Sequence, residues 1–342
     1  MKAIDIVNHY GGSANDELAN KLLFQWQSNF DRLKSQETGI WKKEPPTIHI
    51  FLVQNSTVNA FAAKTNDGYV IAIFDGLRIS IAKLFAAILS DARSYPAIGL
   101  SWEENESVPE ATFSNVSDWL DLALLSTPLD SYRLEFACYM SELALRFAFN
   151  HELFHVLLGH VDLTSNAKPL FEIGLRSGDA EYDHAVEMHA DERAFQSCVH
   201  WILDSLNGEE TTDPMTFFMN TIDAQFLDLY AATYTMFQIF NAIKSESHPN
   251  PVHRQARLGL ILNFLAAEYQ ISLDRPATKI VGTVINNVDL YMQDILGIDW
   301  SSRQKETERI LTTDIETEMT QYSKNVCKLY PMLEQHSYIK LE

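Results

Sequence analysis

The sequence predicts an α+β protein, mostly helical, with a small antiparallel sheet near its start. Three observations lead there. Apolar residues recur at spacings of three and four over most of the chain. Two short runs, Thr47 to Val53 and Gly68 to Phe74, are instead rich in β-branched and aromatic residues. The 46% apolar and 21% charged content is that of an ordinary globular protein, and 13 Gly with 11 Pro is too few for a collagenous or disordered chain.

In order, Asn15 to Lys34 sets Leu18, Leu22, Trp26, Phe30 and Leu33 along one helical face. Pro45 and Pro46 precede the first strand, and Asp67-Gly68 supplies turn chemistry just before the second. A helical pattern runs from Gly76 to Ala92 and closes at Ser94-Tyr95-Pro96. The stretch from Ile98 to about Ser114, with four glutamates and no clear period, reads as a solvated loop rather than a lid. Helical patterns resume near Asn115 and continue to the end. They break at Pro128, Ser165 to Pro169, Asn207-Gly208, His248 to Pro251 and Asp274 to Pro276.

The charge balance excludes some functions. With 26 Lys plus Arg against 46 Asp plus Glu the net charge is −20, and no basic cluster stands ready to neutralise phosphates, so no nucleic-acid partner is expected. Cys138, Cys198 and Cys327 lie far apart and are odd in number, which suits reduced thiols better than a disulfide scaffold. The first residues lack the apolar core of a signal peptide, and no run approaches the length of a membrane span. A cytoplasmic protein with no membrane insertion is expected.

The chemistry concentrates in HELFHVLLGH, where His151, Glu152 and His155 form HExxH inside an apolar helix. Histidines four residues apart lie about 40° apart around a helix and one turn along it, so both rings can reach one Zn2+ ion. Glu152, rotated by about 100° from His151, stays free to act as general base toward a water activated by the metal. Incidental histidines are the bland alternative, but polar groups in so apolar a helix need partners.

A catalytic zinc needs a third protein ligand and an open position. His160 is the nearer candidate. It misses the spacing of the HExxHxxGxxH pattern by one residue, and in a continuing helix it would point about 140° away from His155. It reads better as a helix-terminal histidine beside Gly159. Glu187 is the stronger candidate, completing a His2Glu set from a second helix, with Asp191 one turn on to accept the spare N–H of a ligand histidine. His184 and His189 read as surface residues, with His184 a reserve ligand on the face of Glu187. The bland alternative for the whole stretch is a solvated acidic helix.

On these residues the chain resembles the HtpX-like and CAAX-prenyl-protease-like gluzincin metallopeptidases, whose pattern is HExxH followed by ExxxD. Four matches occur in order: NAFA at Asn59 to Ala62 with GYVIAIFDGL from Gly68, then HExxH, then Glu187, Ala190 and Asp191, and finally SHPNPVHRQARL with His248, Pro249 and Arg254. The resemblance implies a zincin-like metallopeptidase core. It further implies an oxyanion-stabilising role for His248 and an active-site-supporting one for Arg254. Tyr69, Val70, Ile71, Ala72, Ile73 and Phe74 would form an edge strand able to pair with an extended peptide substrate. The bland readings are a turn residue for His248 and a surface helix residue for Arg254. The HxxxGH segment is also similar to that of Lit-type phage-exclusion peptidases.

The matched core ends at Arg257, so residues 1–257 are expected to form the metallopeptidase core with an insert at about 93–130. Residues 258–342 would form a helical extension packed on it. Insert and extension are expected to set specificity or to hold a regulatory partner. The expected function is a zinc-dependent endopeptidase of narrow or triggered specificity. A non-catalytic zinc- or peptide-binding protein is the rival from another class, and a zinc hydrolase of non-peptide bonds is a second rival.

Overall fold

The structure, a computed structural model, describes residues 1–35, 40–104, 127–163, 170–171, 180–206, 221–242, 250–271, 273, 277–296 and 315–341. It is mostly helical with a small mixed sheet. Residues 105–126, the larger part of the expected insert, lie outside the described residues.

Helices α1 (Ala3–His9) and α2 (Glu17–Ser35) open the chain. The α2 stripe of Leu22, Trp26 and Phe30 is buried as its spacing predicts, and Trp26 stacks on Phe149 with ring centroids 5.4 Å apart. Leu18, expected in that stripe, is exposed at the first turn.

Strands β1 (Ile48–Val53), β2 (Ala60–Thr65), β3 (Gly68–Phe74) and the two-residue β4 (Leu170–Phe171) form one sheet in the order β1-β3-β2-β4. Two sequence expectations are corrected here. The sheet is not purely antiparallel: β1 pairs with β3 in parallel, Ile48 opposite Tyr69 through Val53 opposite Phe74. Nor is Tyr69 to Phe74 an edge strand, since β2 pairs antiparallel along its other side, Ala62 opposite Ile71. The reason lies in the run itself: Tyr69 to Phe74 is buried at every position, as a strand covered on both faces is. Ala60–Thr65, which lies between the two predicted strands, is itself the strand that flanks it. The β2–β3 turn depends on Gly68, whose φ is +134° and whose Cβ would fall 2.4 Å from the Thr47 carbonyl oxygen.

The outer side of β1 is covered by the preceding segment, with Ala14 N–H donating to Leu52 O at 2.7 Å and Gln54 N–H to Gly12 O at 2.9 Å. The opposite side of the sheet, at β2, faces the central helix. After α3 (Asp75–Leu89), that helix, α4 (Ser131–Leu157), starts at Asp130, whose carboxylate accepts the Tyr132 N–H at 3.0 Å. From Phe136 onward every residue of α4 but Cys138 and Glu142 is buried, so its second half, from Leu143, has no solvent face. Each large apolar side chain so placed, such as Phe147, contributes roughly 1.5–3 kcal/mol.

Helices α3, α6 (Ala180–Leu206) and α7 (Ile222–Ala242) pack around α4. Beyond them, α8 (Pro251–Glu268) packs on α6, α7 and α9 (Ala277–Leu296), and α10 (Ile315–Leu333) on α6. The short α5 (His160–Leu163) follows α4 after a break. The C-terminal segment crosses the end of α4: Tyr338 N–H donates to Leu157 O at 2.8 Å, satisfying a carbonyl that the helix cannot. Lys340 N–H reaches Ile40 O at 2.9 Å. Among the described residues no helix is long and apolar enough to cross a membrane.

Candidate metal centre

The centre of α4 holds polar groups that its apolar surroundings make costly unless they are paired. The His151 and His155 rings project from the same side, their centroids 4.6 Å apart. Helix α6 runs along α4 and brings Glu187 to both. The His151 Nε2 and His155 Nε2 atoms are 3.0 Å apart. Glu187 Oε2 is 3.2 Å from His151 Nε2, and Glu187 Oε1 is 3.6 Å from His155 Nε2.

These three buried residues offer one donor atom each, all within 4.8 Å of one another, and can hold a metal ion. The donor set suits zinc. Ligands at about 2.0–2.1 Å from a tetrahedral ion stand about 3.3–3.4 Å apart; the two Nε2 atoms are 3.0 Å apart, and Glu187 turns a different oxygen toward each of them. Of the described histidine, cysteine, aspartate and glutamate side chains, only this group has such spacing. His160 and His184 are therefore outside it.

The surrounding charges are ordered. Asp191, one turn beyond Glu187 on the same face of α6, places Oδ1 2.8 Å from His151 Nδ1. Arg254, from the first turn of α8, donates to both Asp191 oxygens, Nε to Oδ2 at 2.6 Å and Nη2 to Oδ1 at 2.7 Å. Its place is set by the helix start: Asn250 accepts the Val252 N–H at 2.9 Å, and Pro251 sits in the first turn. Burial opposes charge on Asp191, yet Arg254 and His151 outweigh it and hold its carboxyl down at about 2. Burial likewise works against a charged His151, but Asp191 and Glu187 prevail and push it up to about 10. Without a cation, His151 keeps its proton at neutral pH.

Glu152 is buried on the sheet side of the same site. Burial raises its pKa, the two ligand histidines oppose that rise, and the backbone N–H of Ala62 in β2 donates to its carboxylate. The net effect is a carboxyl more basic than an ordinary glutamate, within electrostatic reach of both histidines. Ala62 lies in NAFA, a stretch singled out by the resemblance and not by any chemistry of its side chains. Its backbone role carries no side-chain signal, so residue type alone could not reveal it.

His189 corrects an expectation. It is only 2% exposed, because α6 is packed on several sides, and its ring lies 5.4 Å from that of His160 and 5.9 Å from that of Tyr330. His184 is half-buried. His160, expected to terminate α4, instead begins α5 and returns to the site. Its Nδ1 is 3.0 Å from His155 Nδ1, on the side of that ring away from Glu187. His248 lies outside the described residues.

Comparison of the chain with protein-family models, with curated proteins and with solved structures finds no match.

Proposed function

We propose that the protein is a zinc-dependent endopeptidase with a zincin-like core, using His151, His155 and Glu187 as ligands and Glu152 as general base. The observation that carries the reading is the convergence of those three donors from α4 and α6, with a second carboxylate, Glu152, beside them. Zinc held there would acidify a coordinated water and polarise the substrate carbonyl. Glu152 would take the proton of the attacking water and return it to the departing amine, which its raised pKa favours. Asp191, tied by Arg254, would keep the His151 ring in place through that exchange.

Because β2 is itself paired with β4 at Phe61 and Ala62, a peptide strand would align on the β4 side of the sheet and not beside the internal β3. The resemblance assigns His248 to the carbonyl oxygen. We place the protein in the cytoplasm, where its free cysteines would stay reduced. Substrate choice would be narrow or triggered, set by the insert and the C-terminal helices, and broad cleavage of unfolded casein would contradict that.

The test is Glu152→Gln. It should leave zinc content at one ion per chain while abolishing cleavage, scored by comparing protein termini in cells carrying the wild type and the variant. Unchanged termini with unchanged partners would favour a binding protein instead.

A further inference from the structure

The two histidine ligands are supported from behind by different chemistry. His151 has the Asp191 carboxylate at its Nδ1. Behind His155 stands a second imidazole, with the two Nδ1 atoms 3.0 Å apart. His160 is fully buried, and its place follows from Gly159, whose φ of +82° ends α4 and turns the chain so that α5 starts with this ring facing back. The C-terminal segment fills the space over Gly159, where an added Cβ would lie 2.6 Å from His336 Cβ. On its far side the His160 ring meets His189, which in turn lies against Tyr330.

Two ring nitrogens at that distance share one hydrogen, so one ring donates and the other offers a lone pair. Were His160 the donor, a neutral His155 would carry its own hydrogen on Nε2, the atom 3.0 Å from His151 Nε2, and could not be a ligand there. We infer that His160 is a positioning residue of the metal centre: its Nδ1 accepts the Nδ1–H of His155, which leaves the His155 Nε2 lone pair aimed at the point shared with His151 and Glu187. This inference rests on the proposed metal reading of that group. A neutral acceptor orients the ring without adding a negative charge, so of the two supports only Asp191 is anionic, and Arg254 balances it. The fixed tautomer is what a plain packing role for His160 would not supply.

Three measurements on the full chain test it. Nitrogen-15 NMR of the imidazoles in the metal-free wild type should show His155 carrying hydrogen on Nδ1, and hydrogen on Nε2 alone would overturn the inference. His160→Leu should weaken zinc binding, measured by chelator competition, by about 10–100-fold. His160→Asn, which can set an amide oxygen near the Nδ1 position, should recover most of that loss. His160→Leu binding zinc as tightly as wild type would overturn this inference alone, whereas a wild type that takes up no zinc would overturn the metal reading beneath it. If His160→Leu does not fold, the tautomer of the wild type decides.

Discussion

Arg254 and Asp191 form a two-pronged buried pair, Nε to Oδ2 at 2.6 Å and Nη2 to Oδ1 at 2.7 Å, that links the start of α8 to a histidine of α4. A guanidinium fork fits both carboxylate oxygens at once, and an ammonium does not. Arg254→Lys should therefore keep the fold and weaken zinc binding by roughly tenfold, read by chelator competition. Arg254→Ala would strand a buried carboxylate and should lower unfolding stability by about 3–5 kcal/mol in urea titration.

Zinc binding should release a proton. With His151 pushed up to about 10 in the metal-free protein, a cation at Nε2 must displace the hydrogen held there at neutral pH. Affinity should climb with pH until about 10. Calorimetry in buffers of different ionisation enthalpy should count about one proton released per ion; none released would contradict the arrangement.

The same shifts set the acid and alkaline limits of the metal-free fold. The raised His151 contributes stability that is complete below its ordinary pKa and fades as pH rises toward about 10. Asp191, held down at about 2, contributes stability that is complete above its ordinary pKa and fades as pH falls through about 2. Melting temperature should thus decline on the alkaline side without zinc, and excess zinc should remove the His151 part of that decline.

Gly159→Ala should be destabilising beyond its size. The left-handed backbone there costs a residue with Cβ about 1–3 kcal/mol, and the new methyl meets the 336–337 backbone. Urea titration measures the loss. Zinc affinity should fall with it, because His160 is the next residue.

Thiol chemistry offers a check on the helix packing. Cys138 and Cys327 are exposed, whereas Cys198 is buried and its thiol is pushed up to about 11 by that burial. Cys327 should react with an aromatic disulfide reagent in the native protein, Cys138 more slowly because partial burial raises its thiol pKa, and Cys198 only on unfolding. Fast reaction of all three would contradict the placement of α6 against α4.

The sequence by itself determined which residues share a helical face. HExxH placed His151 and His155 on one side of α4, and ExxxD placed Glu187 and Asp191 on one side of α6, because helical period depends only on local backbone geometry. The apolar stripe of α2 was legible for the same reason. What only the tertiary structure decided was every relation between segments: that β3 is internal and β2 flanks it, that Ala62 N–H meets Glu152, that Arg254 closes on Asp191. His160 shows the limit most plainly. Projected along an unbroken helix it points away from His155, yet the positive φ of Gly159 and the C-terminal segment packed over it bring the ring back to 3.0 Å. Residue type and spacing carry the local period, whereas the direction of a chain after a break is chosen by whatever it packs against.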